Sequence, residues 1–233
     1  MSSGSTLAPR APLVIYGNGA MAATYASYLQ SSYEVVAYTV EDSCCHSNTF
    51  CNLPLVAFEA LADHYPPQQH RLIVAVGYRE MNDLRANISQ RAWAMGFQPA
   101  QFIAPDLWLH TGVSIGQNSV VFDHCSIHCN SRVGDNTFIA SGVHIGHDCN
   151  IGDNVWINSG VAIAGGVTVG DNCFFGVNAS VAHGVVLAPG TFVGANTLVT
   201  RNTQANQVVV SEPGTVFELD SRTYLLLLEG RRC

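Results

Sequence analysis

The sequence predicts an α/β unit of βαβ form, with a nucleotide-binding look, followed by a parallel β-helix made of six-residue repeats. Two observations carry the second half and one carries the first. From Ile103 to Val199 every sixth residue is apolar, a run of seventeen hexapeptides without a slip in register. The third residue after each of these is Asn, Gly, Asp or His. Ahead of the repeats stand a short apolar run, a glycine-rich turn and a helical stretch.

In chain order, residues 1–10 read as a loose leader without the apolar core of a signal peptide. Residues 13–16 form a first strand, and Gly17-Asn18-Gly19-Ala20-Met21-Ala22 follows as a tight turn into a helix that runs to residue 30. Bare amides at a helix start suit a phosphate. A second strand over 34–40 ends beside Glu41 and Asp42, at the distance where an acid meets a ribose hydroxyl. A third strand over 71–76 closes at Gly77, and a helix is expected over 79–95. The same glycines also suit a plain strand–helix turn that needs small residues. A dinucleotide domain needs two mononucleotide halves. The residues ahead of the repeats hold one, which favours a nucleotide-diphosphate ligand and argues against a nicotinamide oxidoreductase.

The repeats define their own geometry. A sustained period of six fits neither a helix nor a simple strand. The turn column holds the residue types that best tolerate positive φ. The fourth residue after most apolar positions is small or β-branched, which makes Cys125, Cys149 and Cys173 packed interior residues. Asp-Asn recurs at 135–136, 153–154 and 171–172, so three hexapeptides make one coil of a triangular prism. At about 4.8 Å per coil the prism is about 27 Å long. The parts are therefore 11–100, a small Rossmann-like nucleotide-binding domain; 101–210, the β-helix; and 211–233, a tail.

Composition narrows the function classes. Charged residues are only 12% of the chain, the net charge is −7, and Lys and Arg nowhere cluster. That disfavours nucleic acid and anionic membranes as partners. No apolar run is long enough to span a bilayer. The eight Cys, without an export signal, read as reduced cytoplasmic thiols. Cys44, Cys45, His46 and Cys51 match no zinc spacing, so they read as loop thiols and no metal is expected.

Against the repeat, anomalies stand out. One corner column, spaced by 18, reads Cys129, His147, Gly165, His183 and Arg201. Only Gly165-Gly166 is a double-glycine corner, one coil from His147. A corner without side chains leaves amides open to a thioester oxygen and space in front of His147, whose neutral imidazole can take a proton from an attacking amine or hydroxyl. Asp148 occupies the turn column, where its type is demanded anyway. His110, His124 and His128 look structural.

The chain from Leu13 to Pro213 resembles the bacterial hexapeptide-repeat sugar O- and N-acyltransferases, including sialic acid O-acetyltransferases and UDP-4-amino-sugar N-acetyltransferases. The residues that carry the likeness are Gly17-Asn18-Gly19, Gly77, the run from His147 to Asp153 and the run from Gly165 to Asn172. The resemblance implies a left-handed β-helix, a homotrimer and acetyl-CoA as co-substrate. It implies that His147 is the general base and that Asp148 orients it. It also implies that the nucleotide sugar docks at the N-terminal glycine turn. Two departures stand out. A second histidine that some relatives carry nine residues after the base is Trp156 here, and Pro213-Gly214-Thr215 replaces the family's Pro-Ala-Lys.

The expected function is N-acetylation of a nucleotide-linked amino sugar, with O-acetylation of a sugar such as sialic acid, or a non-catalytic trimeric scaffold, as alternatives. Gly165 is expected to stabilise the oxyanion. Gly165, Gly166, His183 and Arg201 are expected to hold acetyl-CoA, and Gly17, Asn18, Gly19, Glu41, Asp42 and Gly77 the sugar nucleotide. Phe138, Trp156, Phe174 and Phe192 fall on one outward face. An exposed ladder of that size marks an interface, so this face is expected to form the trimer, or else to lie under the tail.

Overall fold

The computed structural model describes residues 10–229. The expected leader lies outside them apart from Arg10, as do residues 230–233 of the tail. The N-terminal unit is a six-stranded sheet in the order β3-β4-β2-β1-β5-β6. Its elements are β1 (Ala11–Tyr16), α1 (Ala20–Leu29), β2 (Tyr33–Val40), β3 (Thr49–Phe50), β4 (Leu53–Ala57), α2 (Leu61–His64), β5 (Arg71–Val74), α3 (Asp83–Ala94) and β6 (Gln98–Pro99). β1 pairs in parallel with β2 on one side and β5 on the other. The strand order therefore switches beside β1, which is where open α/β sheets bind ligands. Leu13, Val14 and Ile15 are fully buried, because a parallel strand covered on both faces has no solvated side.

Two local features were not expected. Cys51 and Asn52 both have positive φ (46° and 63°), and they close a β3–β4 hairpin that the sequence hides. The helix expected from residue 79 begins at Asp83 instead, because Glu80, Met81 and Asn82 adopt left-handed φ of 53°, 50° and 74°.

From Phe102–Ile103 onward the chain winds into a prism of two-residue parallel strands in three sheets. In each strand the second residue points in, and these residues, from Val121 to Val199, form one apolar core with Cys125, Cys149 and Cys173. Fifteen of the seventeen turn-column residues have positive φ, from Gly112 to Asn196. The two exceptions, Asp106 and Asn202, end the column, and each turns its side chain to a backbone N–H one coil away, of His124 and Val186. An additional strand, Val208–Val209, caps the first face.

That first face carries Phe102, Val120, Phe138, Trp156, Phe174 and Phe192 outward, and here the structure corrects the expectation. The aromatic ladder is neither an open face for trimer contacts nor a bed for the tail. It is covered by the chain's own N-terminal unit. Phe138 and Trp156 are each only 4% exposed. Tyr25 of α1 stacks on Phe138 with centroids 5.9 Å apart, Tyr28 stacks on Phe122 at 4.0 Å, and Tyr78 lies 4.4 Å from Phe174. The tail leaves the prism and forms α4 (Ser221–Glu229), capped by Asp220, with Leu225 to Leu228 on the surface.

Polar contacts clamp both edges of the covered face. On one edge Tyr28 donates to Asp123 at 3.0 Å, and Ser141 also bonds Asp123. On the other, α3 lies along the turn column. Asn82 donates to the Asn172 carbonyl at 3.3 Å, Arg85 to that of Asn154 at 2.8 Å, and Ser89 to the Asn136 side chain at 3.2 Å. The spacing explains the fit. Three or four residues of helix rise about 5 Å, and one coil rises about 4.8 Å, so each helical turn meets the next coil.

Candidate active site

His147 and Asp148 sit at the corner between the strands His144–Ile145 and Asn150–Ile151, opposite the face that the N-terminal unit covers. Asp148 has φ of 55°, which swings its side chain back onto the preceding residue. His147 Nδ1 donates to Asp148 Oδ2 at 2.7 Å, and Asn130 holds the other carboxylate oxygen at 3.0 Å. The hydrogen bond from His147, seconded by that from Asn130, keeps the Asp148 carboxyl below the usual carboxylate range. An ionised carboxylate only accepts. Nδ1 therefore carries the proton, and Nε2 has a free lone pair.

Nε2 lies over the glycine corner. A Cβ on Gly165 would fall 2.5 Å from it. Gly165 does not have the positive φ that Gly166 has (71°), so the two glycines answer different demands. Gly166 makes the turn, and Gly165 makes room for the imidazole. The expected empty space in front of His147 is thus partly filled by its own ring. The Gly165 N–H has no backbone or side-chain acceptor among the described residues. The amides of Gln117, Asp135 and Asp153, at the corresponding places of a neighbouring corner, are capped by the Asp one coil on.

The rest of the corner column is also in line. His183 is exposed, with its ring centroid 6.3 Å from that of His147. Arg201 lines an open hollow of about 290 Å³ at the end of the prism. His110 and His128 stack at 4.9 Å, and His124 pairs with Asp106; all three are exposed. Trp156, nine residues after His147, is buried and donates to Asn158 at 3.1 Å. Asn130 was missed, although its place 18 residues before Asp148 marks it.

A second group gathers at the switch of the N-terminal sheet. Gly17 is buried with φ of 134°, and a Cβ there would press the Ala75 carbonyl at 3.0 Å. Gly19 precedes α1, which has no side-chain cap, so its first amides stay open. Gly77 lies three residues beyond β5, which ends at Val74 and not at residue 76 as expected, and a Cβ there would meet open space. Asn18 donates weakly to the Cys44 carbonyl, and Asp42 is exposed. Glu41 is already engaged. Arg91 of α3 binds both its oxygens at 2.6 and 3.2 Å, and Tyr16 donates at 2.9 Å. The Arg91 contact holds the Glu41 pKa down at about 2. Among the described residues no three His, Cys, Asp or Glu side chains converge to hold a metal, and Cys44, Cys45 and Cys51 are free thiols.

Comparison with known proteins bears on both halves. Residues 148–181 match the family described as bacterial transferase hexapeptide (six repeats), and residues 166–201 that described as hexapeptide repeat of succinyl-transferase. PerB from Caulobacter crescentus, solved in complex with CoA and GDP-perosamine, is 28% identical over 86% of this chain and 94% of its own, with a TM-score of 0.77. Residues 148–201 thus carry the hexapeptide repeats of these transferase models, and the fold is that of the solved neighbour. The fold of this hexapeptide-repeat protein is shared by two further structures. The acetyltransferase domain of PglB from Neisseria gonorrhoeae matches at TM-score 0.76 and 22% identity, over 89% of this chain and 100% of that one. WeeI from Acinetobacter baumannii matches at 0.76 and 18%, over 88% and 99%. No curated protein matches the chain. No helix among the described residues is long and apolar enough to cross a membrane.

Proposed function

We propose that the protein transfers an acetyl group from acetyl-CoA to the amine of a nucleotide-linked amino sugar. The observation that carries this reading is the His147–Asp148 pair, its free Nε2 turned over a glycine corner whose amide has no partner. The 28% identity to a protein solved with CoA and GDP-perosamine supports the substrate class. His147 Nε2 accepts the proton that the amine loses as its lone pair attacks the thioester carbonyl. Asp148 fixes the tautomer and the ring plane, and the Gly165 N–H meets the developing oxyanion. Proton transfer of this kind contributes about 10²–10⁴ in rate. In this reading the acyl group passes directly from the thioester to the amine. Gly165 and Gly166 line the path for pantetheine, and Arg201 suits a CoA phosphate.

The sugar nucleotide is assigned to the crevice between Gly17-Asn18-Gly19 and Gly77. That crevice belongs to the unit packed on the first face, while His147 stands at the opposite corner, about 20 Å across a six-residue side. A ligand that reaches both therefore bridges two chains, and we propose a closed homotrimer built on the two uncovered faces. The test is a screen of nucleoside-diphosphate amino sugars with acetyl-CoA, read as release of free CoA, with free sialic acid as comparator. CoA release with an amino-sugar nucleotide is expected. Release with sialic acid alone would assign O-acetylation instead, and none with either would remove the reading.

A further inference from the structure

Resting on that reading, we propose that His183 is a second catalytic residue, which hydrogen-bonds the thioester carbonyl oxygen as it becomes an oxyanion. His147 and His183 stand 36 residues, two coils, apart in one column. Two coils rise about 9.6 Å, yet the ring centroids are 6.3 Å apart at 45°. The rings therefore lean toward each other across the Gly165–Gly166 corner. A Cβ on Gly165 would fall 2.5 Å from His147 Nε2, and one on Gly166 would fall 3.4 Å from His183 Cε1. The corner without side chains is thus bounded by an imidazole on each side.

The two histidines are not equivalent. The residue after His147 is Asp148, which occupies the Nδ1 proton and leaves Nε2 to accept. The residue after His183 is Gly184, and His183 has no hydrogen-bond partner among the described residues, so a ring N–H is free to donate. One ring accepts and the other donates.

In the step so assembled, the amine lone pair forms the C–N bond and the C=O π pair moves onto oxygen. The His183 N–H and the Gly165 N–H hold that oxygen while His147 Nε2 takes the amine proton. The C=O bond then re-forms, the C–S bond breaks with its pair on sulfur, and His147 returns the proton to the thiolate. The products are the amide and free CoA, and both imidazoles end neutral.

The experiment is steady-state kinetics of His183→Ala and His183→Gln on acetyl-CoA and the amino-sugar nucleotide, with the pH profile of kcat. The Ala variant should lose about 10²–10³ in kcat, with both KM values little changed. The Gln variant, which keeps an N–H donor, should recover about tenfold of the loss. Both should keep the acid limb of the profile, since His147 is intact. A His183→Ala protein with wild-type kcat and a raised acetyl-CoA KM would reduce His183 to a pantetheine contact and overturn the assignment alone. Equal losses in Ala and Gln would also overturn it. A wild-type protein that releases no CoA would overturn the acyl-transfer reading and this assignment with it.

Discussion

At the scale of residues, the site depends on one missing methyl group. Gly165 has backbone angles that any residue can adopt, so Gly165→Ala should fold. Its Cβ would nevertheless sit 2.5 Å from His147 Nε2 and push the ring aside. The variant is expected to lose at least tenfold in kcat while its melting temperature moves little, as thermal denaturation beside a CoA-release assay would show. The sequence made this corner visible, because a fixed repeat exposes any position that departs from it. It did not make the reason visible. The glycine reads as space for substrate until the rotamer of His147 is known, and nothing in the one-dimensional pattern gives a rotamer. Asn130 was legible in principle, being one coil before Asp148. The tie between Glu41 and Arg91 was not, since 50 residues and no common period separate them.

At the scale of elements, α3 does two jobs. One turn holds Glu41 through Arg91. Folding lowers the Glu41 pKa to about 2, so the pair contributes in full above the unfolded value near 4.5 and loses its contribution as pH falls from there toward 2. Both partners are partly exposed, at 43% and 32%. Solvent screening therefore limits the effect to under about 1 kcal/mol. Arg91→Ala should lower stability at pH 7 by that amount and flatten the acid limb of urea-denaturation curves between pH 4.5 and 2.

The other turns of α3, with Asn82 just before it, hold the prism through Asn82, Arg85 and Ser89. Arg85 is 2% exposed, its guanidinium lies 5.1 Å over the Trp156 ring, and its Nε and Nη1 have no protein partner among the described residues. Burial lowers its pKa. Arg85→Ala should cost about 2–4 kcal/mol in urea unfolding through lost packing. Arg85→Met should recover most of that, because a poorly paired buried charge adds little to stability. The apolar patterns of the helices and main strands were readable. The left-handed run before α3 and the Cys51–Asn52 turn were not, because Glu80, Met81 and Cys51 are not residues that favour positive φ.

At the scale of the molecule, the period of six revealed the prism because every coil repeats the same inward column. It also revealed the aromatic ladder, but not what covers it. Tyr25 and Phe138 meet across 113 residues of chain, and no local pattern announces such a meeting. With the first face covered, the homotrimer we propose would use the two other faces. One of these presents Ser126, His144, Ala162 and Ser180, small or polar residues that allow close approach of flat surfaces. Ala162→Glu should break the trimer in light scattering and remove activity with it, while each chain stays folded. A trimeric and active Ala162→Glu protein would exclude that face.

The central claim is that His147 is the base for acyl transfer, and the most direct measurement is CoA release from acetyl-CoA and an amino-sugar nucleotide by wild type and His147→Asn. The ring is about half exposed on a corner, so the substitution should leave the melting temperature close to wild type. The account predicts that kcat falls by about 10²–10⁴ in a variant that is as stable as the parent. A folded His147→Asn protein that turns over at the wild-type rate would contradict it.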